Sequence, residues 1–402
     1  MEDENVMDVA LSHGTRLDPV IDWIAREGRL EPELPKFIGK LMDHTITAGI
    51  PVSRFYLGME LLHPQLQAMG VIWRRDQAVQ VNEIHRRQGI QYTGAYIGSP
   101  VQEIRERGPE VRYRLDDLTE KHHITLHEVK AEGGTDYFGM AMQTSRGRLL
   151  PIATFATDRP EGFSDNDLAA LRRLIDHAGA VIEMHITRLV ARTVIQTYIG
   201  PETGRRIFDG LVKRGDGDRI NAVLWFSDLR DFTGLNERLP ADELLDMLNM
   251  YFEAIGVALR KHGGEILKFI GDGVMAIFPV DDAMFLPDAT SGAVDAAREA
   301  LSVIEEVNAG RVEAGREAIR FGVGLHVGLV TFGNVGTEDR LDFTVIGPAV
   351  NRCARLETMT KVLKVPVLAS ADFNRVCPRP MRSLGRHRLR GVPDPVEIFT
   401  TA

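Results

Sequence analysis

Two aspartates in the C-terminal half of the sequence occupy positions suited to binding a divalent cation. Asp228 follows the apolar run 220–226, and Asp272 lies in an Asp-Gly turn between the apolar runs 265–270 and 274–278. Because Asp-Gly is a strong hairpin signal, Asp272 is predicted at a hairpin tip. If the strand before Asp228 pairs with this hairpin, the carboxylates converge in a way that suits Mg²⁺ and phosphate. Alternatively, both aspartates only shape or cap their loops.

An amide and a guanidinium are predicted on one face of a helix further along the chain. Gly347 and Pro348 mark the start of this helix, and Asn351 and Arg355 follow four residues apart. Residues at this spacing are neighbours on a helix surface. An amide beside a guanidinium can orient a ribose and hold an anionic phosphate. Alternatively this is a solvated helix face, and Arg352 is expected to face water or a partner.

The elements around these residues predict an α/β (α+β) domain over residues 220–402. A strand at 220–226 precedes an amphipathic helix that starts near Pro240, and the hairpin comes next. A helix at about 288–308 and strands at 319–330 and 341–346 complete the pattern. The order β-α-β-β-α-β is that of the ferredoxin-like fold, with extra strands at the C-terminus.

The N-terminal half predicts a separate arrangement of helices and short strands. Residues 1–35 are predicted to form a helical leader, and residues 36–165 a domain of mixed structure. Ser164 and Asp167 form a capping pattern before a long helix, where His185 and Arg192 interrupt an apolar seam, as in a packed or dimerising helix. The following segment, 199–219, is basic and rich in glycine, so a hinged short helix is predicted there. The long helix and this segment form a linker, 166–219.

The C-terminal domain resembles the catalytic domain of class III adenylate/guanylate cyclases. Five motifs of that family occur in order: FSDLRDFT at 226–233, KFIGDGVMA at 268–276, GLHVGLVTFGNVG at 324–336, TVIGPAVNRCAR at 344–355 and LRGV at 389–392. The resemblance implies conversion of ATP to 3′,5′-cyclic AMP and pyrophosphate. In that reaction the ribose 3′-hydroxyl attacks the α-phosphate with the help of two Mg²⁺ or Mn²⁺ ions.

The same resemblance implies roles for individual residues. Asp228, Leu229 and Asp272 would contact the two metal ions. Asn351 would orient the ribose, and Arg355 would stabilise charge on the α-phosphate in the transition state. Further substrate contacts are implied for Lys268, Thr344, Arg340, Phe232 and Thr233.

The base preference is predicted from Lys268 and Thr344. Adenine presents an acceptor at ring N1 and a donor at its 6-amino group, which a lysine and a threonine hydroxyl complement. Guanylate enzymes of the family carry an acidic residue at the lysine position, so ATP is the expected substrate. Two departures are Thr344, where many animal enzymes have Asp, and Asp231, where Gly is common.

The N-terminal half resembles a GAF-type sensory domain through one segment, 162–171 (GFSDNDLAAL). The alternative is any α/β domain that ends in a capped helix. Residues 198–201 (YIGP) resemble the transducer that precedes bacterial cyclase domains. The family resemblance implies a head-to-tail homodimer with active sites at its interface, regulated by an unknown small-molecule or protein signal at the N-terminal domain.

Composition limits the possible partners and locations. The 402 residues carry a net charge of −9, which disfavours nucleic-acid binding. Two cysteines exclude a disulfide framework and a cysteine-rich zinc module. No apolar run approaches the roughly 18 residues of a membrane span, and the acidic start is unlike a signal peptide. A cytoplasmic location is therefore predicted.

Competing interpretations are a guanylate cyclase and a non-catalytic cyclase-like module for regulation or dimerisation. Lys268 disfavours the first, and chemically competent residues at the matched positions disfavour the second. The Gly-Gly-Glu at 263–265 suggests a diguanylate cyclase, but it follows a predicted helix end without the surrounding motif. The histidine cluster at 122–127 is predicted to be a polar strand or loop rather than a metal or haem site.

Overall fold

Two sheets, one in each half of the chain, organise the structure. The computed structural model describes residues 16–61, 66–77, 79–144, 151–210, 213, 215, 217–280 and 282–401. The chain divides into two compact units, Met1–Thr197 and Tyr198–Ala402. The acidic start on which the signal-peptide argument depends lies outside the described residues. No helix within these ranges is long and apolar enough to cross a membrane.

The first unit contains a six-stranded antiparallel sheet. Its strands are β1 (Arg54–Glu60), β2 (Leu66–Arg74), β3 (Val81–Arg87), β4 (Glu110–Arg114), β5 (Asp136–Ala141) and β6 (Ile152–Thr157). They are arranged in the order β3-β2-β1-β6-β5-β4. The helices are α1 (16–26), α2 (Leu34–Thr47), α3 (Pro100–Glu106), α4 (Ile124–Ala131) and α5 (Asp165–Ile199). The resemblance of this unit to a GAF domain stays a prediction.

Helices α1, α2 and α5 bury their apolar faces in one core of this unit. The described part of the predicted leader belongs to that core, where Trp23 stacks on Phe37 at a centroid distance of 5.7 Å. The capping pattern before α5 is confirmed, because the Ser164 amide donates to Asp167 Oδ2 at 3.0 Å and the Asp167 amide donates to Ser164 Oγ at 3.2 Å. His185, predicted to interrupt the apolar seam, lies on the buried face of α5. Its ring is buried near Phe37, and burial lowers its pKa, which favours the neutral ring.

The histidine cluster at 122–127 begins a helix, so the prediction of a polar strand or loop is wrong for its second part. His123 is the N-cap of α4, with Nδ1 accepting a hydrogen bond from the Thr125 amide at 3.2 Å. His127 lies within α4, and its Nε2 is 3.2 Å from the Thr119 carbonyl oxygen. These local hydrogen bonds explain the histidines without a metal.

The second unit contains an eight-stranded sheet. Its strands are β7 (Gly217–Leu229), β8 (Glu265–Ile270), β9 (Gly273–Val280), β10 (Phe321–Gly336), β11 (Leu341–Ile346), β12 (Val367–Ser370), β13 (Met381–His387) and β14 (Val396–Thr401). The helices are α6 (Pro201–Phe208), α7 (Phe232–Arg238), α8 (Ala241–Lys261), α9 (Leu286–Glu313), α10 (Pro348–Leu363) and α11 (Ala371–Val376). The predicted β-α-β-β-α-β order is confirmed in β7, α8, β8, β9, α9 and β10. Strand β7 begins at Gly217, inside the segment predicted as linker.

Strand β7 lies in the middle of this sheet and is covered on both faces. The sheet order is β13-β14-β12-β10-β7-β9-β8, and β11 pairs with β10. Successive strand residues point to opposite faces. Accordingly Val223 and Trp225 pack against α8 and α9, whereas Ala222 and Leu224 pack in the core on the side of α10. Burial on both faces fixes the end of β7, where Asp228 is located.

Candidate active site

The two predicted metal-binding aspartates lie at adjoining strand ends. Strand β7 pairs antiparallel with β9, with Ser227 opposite Val274, and Asp272 occupies the turn between β8 and β9. The pKa of Asp272 is raised to about 6, mainly by burial and further by the neighbouring Asp228 carboxyl group. Two carboxyl groups this close repel one another when both are ionised, and a divalent cation would relieve that repulsion.

A lysine and a glutamate that sequence analysis missed lie beside this pair. Lys361 Nζ donates a hydrogen bond to Asp228 Oδ2 at 2.7 Å and is 3.9 Å from Glu357 Oε1. Glu357 is buried, and burial is the main cause that raises its pKa to about 7. The signal in the sequence was weak and consisted only of position. Lys361 and Glu357 are one helical turn apart and lie on the helix that carries Arg355.

The two aspartates fit a cation that binds few protein groups. The described residues contain no group of three or more His, Cys, Asp or Glu side chains able to hold a metal ion. Mg²⁺ is usually held by one or two carboxylates, with water and phosphate oxygens as its other ligands. Asp228 and Asp272 meet that requirement. The side chain of Leu229 has no atom that can bind a cation, so only its backbone carbonyl group could contribute.

A buried hydrogen-bond network supports the strand end that carries Asp228. Trp225 Nε1 and the Tyr251 hydroxyl group both donate to Ser227 Oγ at 3.0 Å. Burial is the main cause that raises the pKa of Tyr251 well above its ordinary value. The phenol therefore stays protonated and can serve as a donor. These contacts tie β7 to α8 one residue before Asp228.

The two predicted base-reading residues lie on β8 and β11. Lys268 Nζ on β8 donates to the carboxylate of Asp342 on β11. Thr344 is two residues further along β11, and residues two apart on a strand share a face. The ion pair thus holds Lys268 on the face of β11 that bears Thr344. Sequence analysis did not select Asp342, although its position two residues before Thr344 was a usable signal.

Asn351 and Arg355 lie on α10, which packs tightly against the sheet. Cys353 Sγ is 3.3 Å from the Leu224 carbonyl oxygen and 3.1 Å from that of Gly324. A Cβ at Gly324 would lie 2.6 Å from the Cys353 carbonyl oxygen, so this close packing requires glycine. Asn351 is exposed and Arg355 is half-buried.

The flanking arginine, Arg352, does not simply face water. Its Nη1 is 3.3 Å from Asp372 Oδ2, in an ion pair between α10 and α11. The expectation of a water-facing or partner-facing side chain is therefore corrected to an ion pair within the chain.

The remaining predicted substrate contacts lie in or next to loops. Phe232 and Thr233 are the first residues of α7, and Phe232 packs partly against the core while Thr233 is exposed. Arg340 lies in the turn between β10 and β11 with an exposed side chain, and its amide donates to Thr337 Oγ1 at 3.1 Å. The structure does not bring these three residues into contact with the aspartate pair.

A protein-family model matches most of the C-terminal unit. Residues 218–377 match the model of the adenylate and guanylate cyclase catalytic domain. The segment that carries the candidate site, with β7, the β8–β9 hairpin and α10, is therefore similar to the catalytic domain of adenylate and guanylate cyclases.

Curated relatives are similar to this chain over part of their length. Adenylate cyclase 1 of Rhizobium meliloti is 30% identical over 254 residues, which are 60% of this chain and 37% of that protein. An adenylate cyclase of Anabaena cylindrica is 35% identical over 173 residues, 42% of this chain and 33% of that protein. The chain thus spans about a third of these relatives. The crystal structure of the adenylyl cyclase CyaB from P. aeruginosa is 28% identical, with a TM-score of 0.41, and covers 46% of this chain and 96% of that one.

Proposed function

We propose that this protein is an adenylate cyclase that forms 3′,5′-cyclic AMP and pyrophosphate from ATP. The observation that carries the proposal is the Asp228–Asp272 pair at adjoining strand ends of a cyclase catalytic domain. Divalent ions at these carboxylates, Mg²⁺ or Mn²⁺, would favour ionisation of the 3′-hydroxyl group and neutralise the triphosphate. Asn351 orients the ribose, and Arg355 donates hydrogen bonds to the α-phosphate as its charge develops.

The preference for ATP over GTP depends on Lys268 in this proposal. The Lys268 ammonium group can only donate hydrogen bonds, which suits ring N1 of adenine and opposes the N–H of guanine. Thr344, on the same face of β11 as Asp342, accepts from the 6-amino group. The ion pair with Asp342 supports this role because it restricts where the lysine can point.

A homodimer with shared sites is part of the proposal. Apolar side chains on β8, β10 and β11 are about half exposed: Phe269 at 52%, Ile270 at 48%, Leu329 at 46% and Ile346 at 47%. Strands β10 and β11 pair with one another, so Leu329 and Ile346 are exposed on neighbouring strands, which is typical of an interaction surface. Arg355 and the aspartate pair would then meet across the interface of two chains.

The test is direct conversion of nucleotide by the full chain. Purified protein is incubated with ATP and separately with GTP, in Mg²⁺ and in Mn²⁺, and cyclic nucleotide is quantified by chromatography. We expect cyclic AMP as the main product, and its loss in Asp228→Asn and Asp272→Asn with the fold unchanged by circular dichroism. Near wild-type turnover in either variant would exclude the two-ion role of the aspartates.

We also propose that the N-terminal unit regulates the cyclase through α5 and α6. Deletion of residues 1–190 should change the rate of cyclic AMP formation and leave the ATP-to-GTP preference unchanged. An unchanged rate at matched dimer concentration would limit the N-terminal unit to dimerisation or targeting.

A further inference from the structure

The turn between β13 and β14 lies against the helix that carries Arg355. Leu389, in this turn, is buried in a small core with Leu356, the residue after Arg355. The turn closes with a hydrogen bond from the Val392 amide to the Leu389 carbonyl oxygen at 3.0 Å. Gly391, inside the turn, has a left-handed φ of 70°. The turn is thus fixed next to Arg355 by packing and by backbone geometry.

The guanidinium group of Arg355 lies next to the space that a side chain at position 391 would occupy. A Cβ at position 391 would lie 3.1 Å from Arg355 Nη2, 3.6 Å from Cζ and 3.8 Å from Nη1. Among the described residues, Arg355 makes no hydrogen bond or ion pair with another side chain. Its N–H groups therefore remain available for an anionic ligand, and the contact with Gly391 limits where the guanidinium can lie.

We infer that Gly391 is a positioning residue for Arg355: the bare backbone at 391 sets where the guanidinium group meets the α-phosphate. This inference rests on the proposed cyclase function. Any side chain at 391 meets the flexible end of Arg355 rather than a backbone atom, so the guanidinium must move. A misplacement of about 1 Å can reduce a rate by roughly 100-fold, and smaller shifts reduce it less.

Gly385 provides a matched control on β13, in the same hairpin as Gly391. It also has a left-handed φ, 86°, but a Cβ there meets nothing within 4 Å. Gly385→Ala therefore introduces similar backbone strain without touching Arg355. Gly391→Asn complements Gly391→Ala, because asparagine tolerates the left-handed conformation better while still carrying a Cβ.

The kinetic test compares kcat and KM for ATP in these variants of the full chain. We expect kcat to fall about threefold to tenfold in Gly391→Ala and further in Gly391→Asn, with KM changed by less than about twofold. Gly385→Ala should retain the wild-type kcat. An active wild type whose kcat is unaltered in Gly391→Asn would overturn the positioning role alone.

A thermal-unfolding cycle tests the contact independently of activity. Gly391→Ala should lower the melting temperature of the second unit, residues 198–402, a few degrees more than Gly385→Ala does. This excess should disappear when both are made in an Arg355→Ala background, where no guanidinium group remains to be displaced. If Gly391→Ala lowered the melting temperature by the same additional amount in both backgrounds, the guanidinium group would not be what the new side chain displaces, and the inference would be wrong. A wild type that forms no cyclic nucleotide would instead overturn the proposed function and, with it, the positioning role.

Discussion

At the scale of single residues, the candidate site combines side chains that attract one another with side chains that repel. Asp228 and Asp272 are close enough to disfavour joint ionisation, and Lys361 supplies a positive charge beside them. Lys268 is similarly paired with Asp342. Each pair leads to a prediction about a single substitution.

Reversal of the charge at Lys268 should change the choice of nucleotide. In Lys268→Glu a carboxylate faces the acceptor at N1 of adenine, a mismatch of roughly 1–3 kcal/mol. It also faces Asp342 with a like charge. We expect kcat/KM to fall more for ATP than for GTP, measured with both nucleotides under the same metal conditions. Asp342→Asn is the control, because it removes the ion pair and keeps the lysine as a donor. Equal losses for both nucleotides in Lys268→Glu would show that this residue does not read the base.

Removal of the positive charge at Lys361 should strengthen metal binding. The ammonium group competes with a cation for Asp228 and repels it, so Lys361→Met should lower the apparent Kd for Mn²⁺ by roughly twofold to tenfold. Electron paramagnetic resonance of free Mn²⁺, with a non-cyclisable ATP analogue present, measures this. Stability in EDTA should fall by no more than about 1 kcal/mol, since both partners are partly exposed. Lys364→Met removes a nearby lysine that makes no ion pair with Asp228 and should leave the Kd unchanged. An unaltered Kd in Lys361→Met would contradict the prediction.

At the scale of elements, buried polar contacts join the start of α11 to the sheet. His326 on β10 is 3% exposed, and its Nδ1 lies 2.7 Å from Ser370 Oγ. Ser370 is the N-cap of α11 and accepts a hydrogen bond from the Phe373 amide at 3.1 Å. A neutral histidine side chain thus supports both the end of β12 and the start of α11.

This histidine predicts a dependence of stability on pH. Burial, followed by the nearby Arg352, lowers the pKa of His326 to about 4, whereas an unfolded histidine titrates near 6.5. The unfolded chain therefore binds more protons between these values, so stability is retained above pH 6.5 and declines as pH falls towards 4. The loss attributable to His326 should approach about 3 kcal/mol. In His326→Asn the slope of the unfolding free energy against pH should decrease between about pH 4 and pH 6.5. Urea denaturation, followed for the second unit, measures this slope. An identical slope in wild type and variant would exclude His326 as the group responsible.

At the scale of the whole molecule, the middle and the C-terminal end of α10 face different clusters. Arg355 lies next to Gly391, whereas Lys361, six residues later, contacts Asp228. At 1.5 Å per residue these positions are about 9 Å apart along the helix axis. This separation favours the proposed dimer, in which Arg355 of one chain completes the site of the other.

Mixing two inactive variants tests the shared site. Asp228→Ala and Arg355→Ala should each be inactive alone, because every site of an isologous dimer then lacks one half. After free exchange about half the dimers are mixed, and each has one intact site and one doubly defective site. We expect roughly a quarter of wild-type activity to return in an assay of cyclic AMP. Background activity after heterodimers have been demonstrated would require a site built within one chain.

Features that depend on neighbouring residues could be predicted from the sequence. The Asp-Gly hairpin, the capping pattern before α5 and the helix that begins at Pro348 are local, so turn and cap preferences were sufficient to predict them. The burial of His185 near Phe37 was not predicted, because a polar residue gives no sign that tertiary packing will bury it.

Contacts between side chains that are distant in the chain could not be predicted without the fold. Lys361 reaches Asp228 across 133 positions, and Lys268 reaches Asp342 across 74. The contact of Gly391 with Arg355 likewise joins a turn to a helix that is separate in the chain. Such contacts follow from the strand order and from how closely α10 packs on β10, which no local pattern encodes. The motifs therefore predicted which residues form the candidate site. The fold determines which side chains these residues meet and in which direction their pKa values shift.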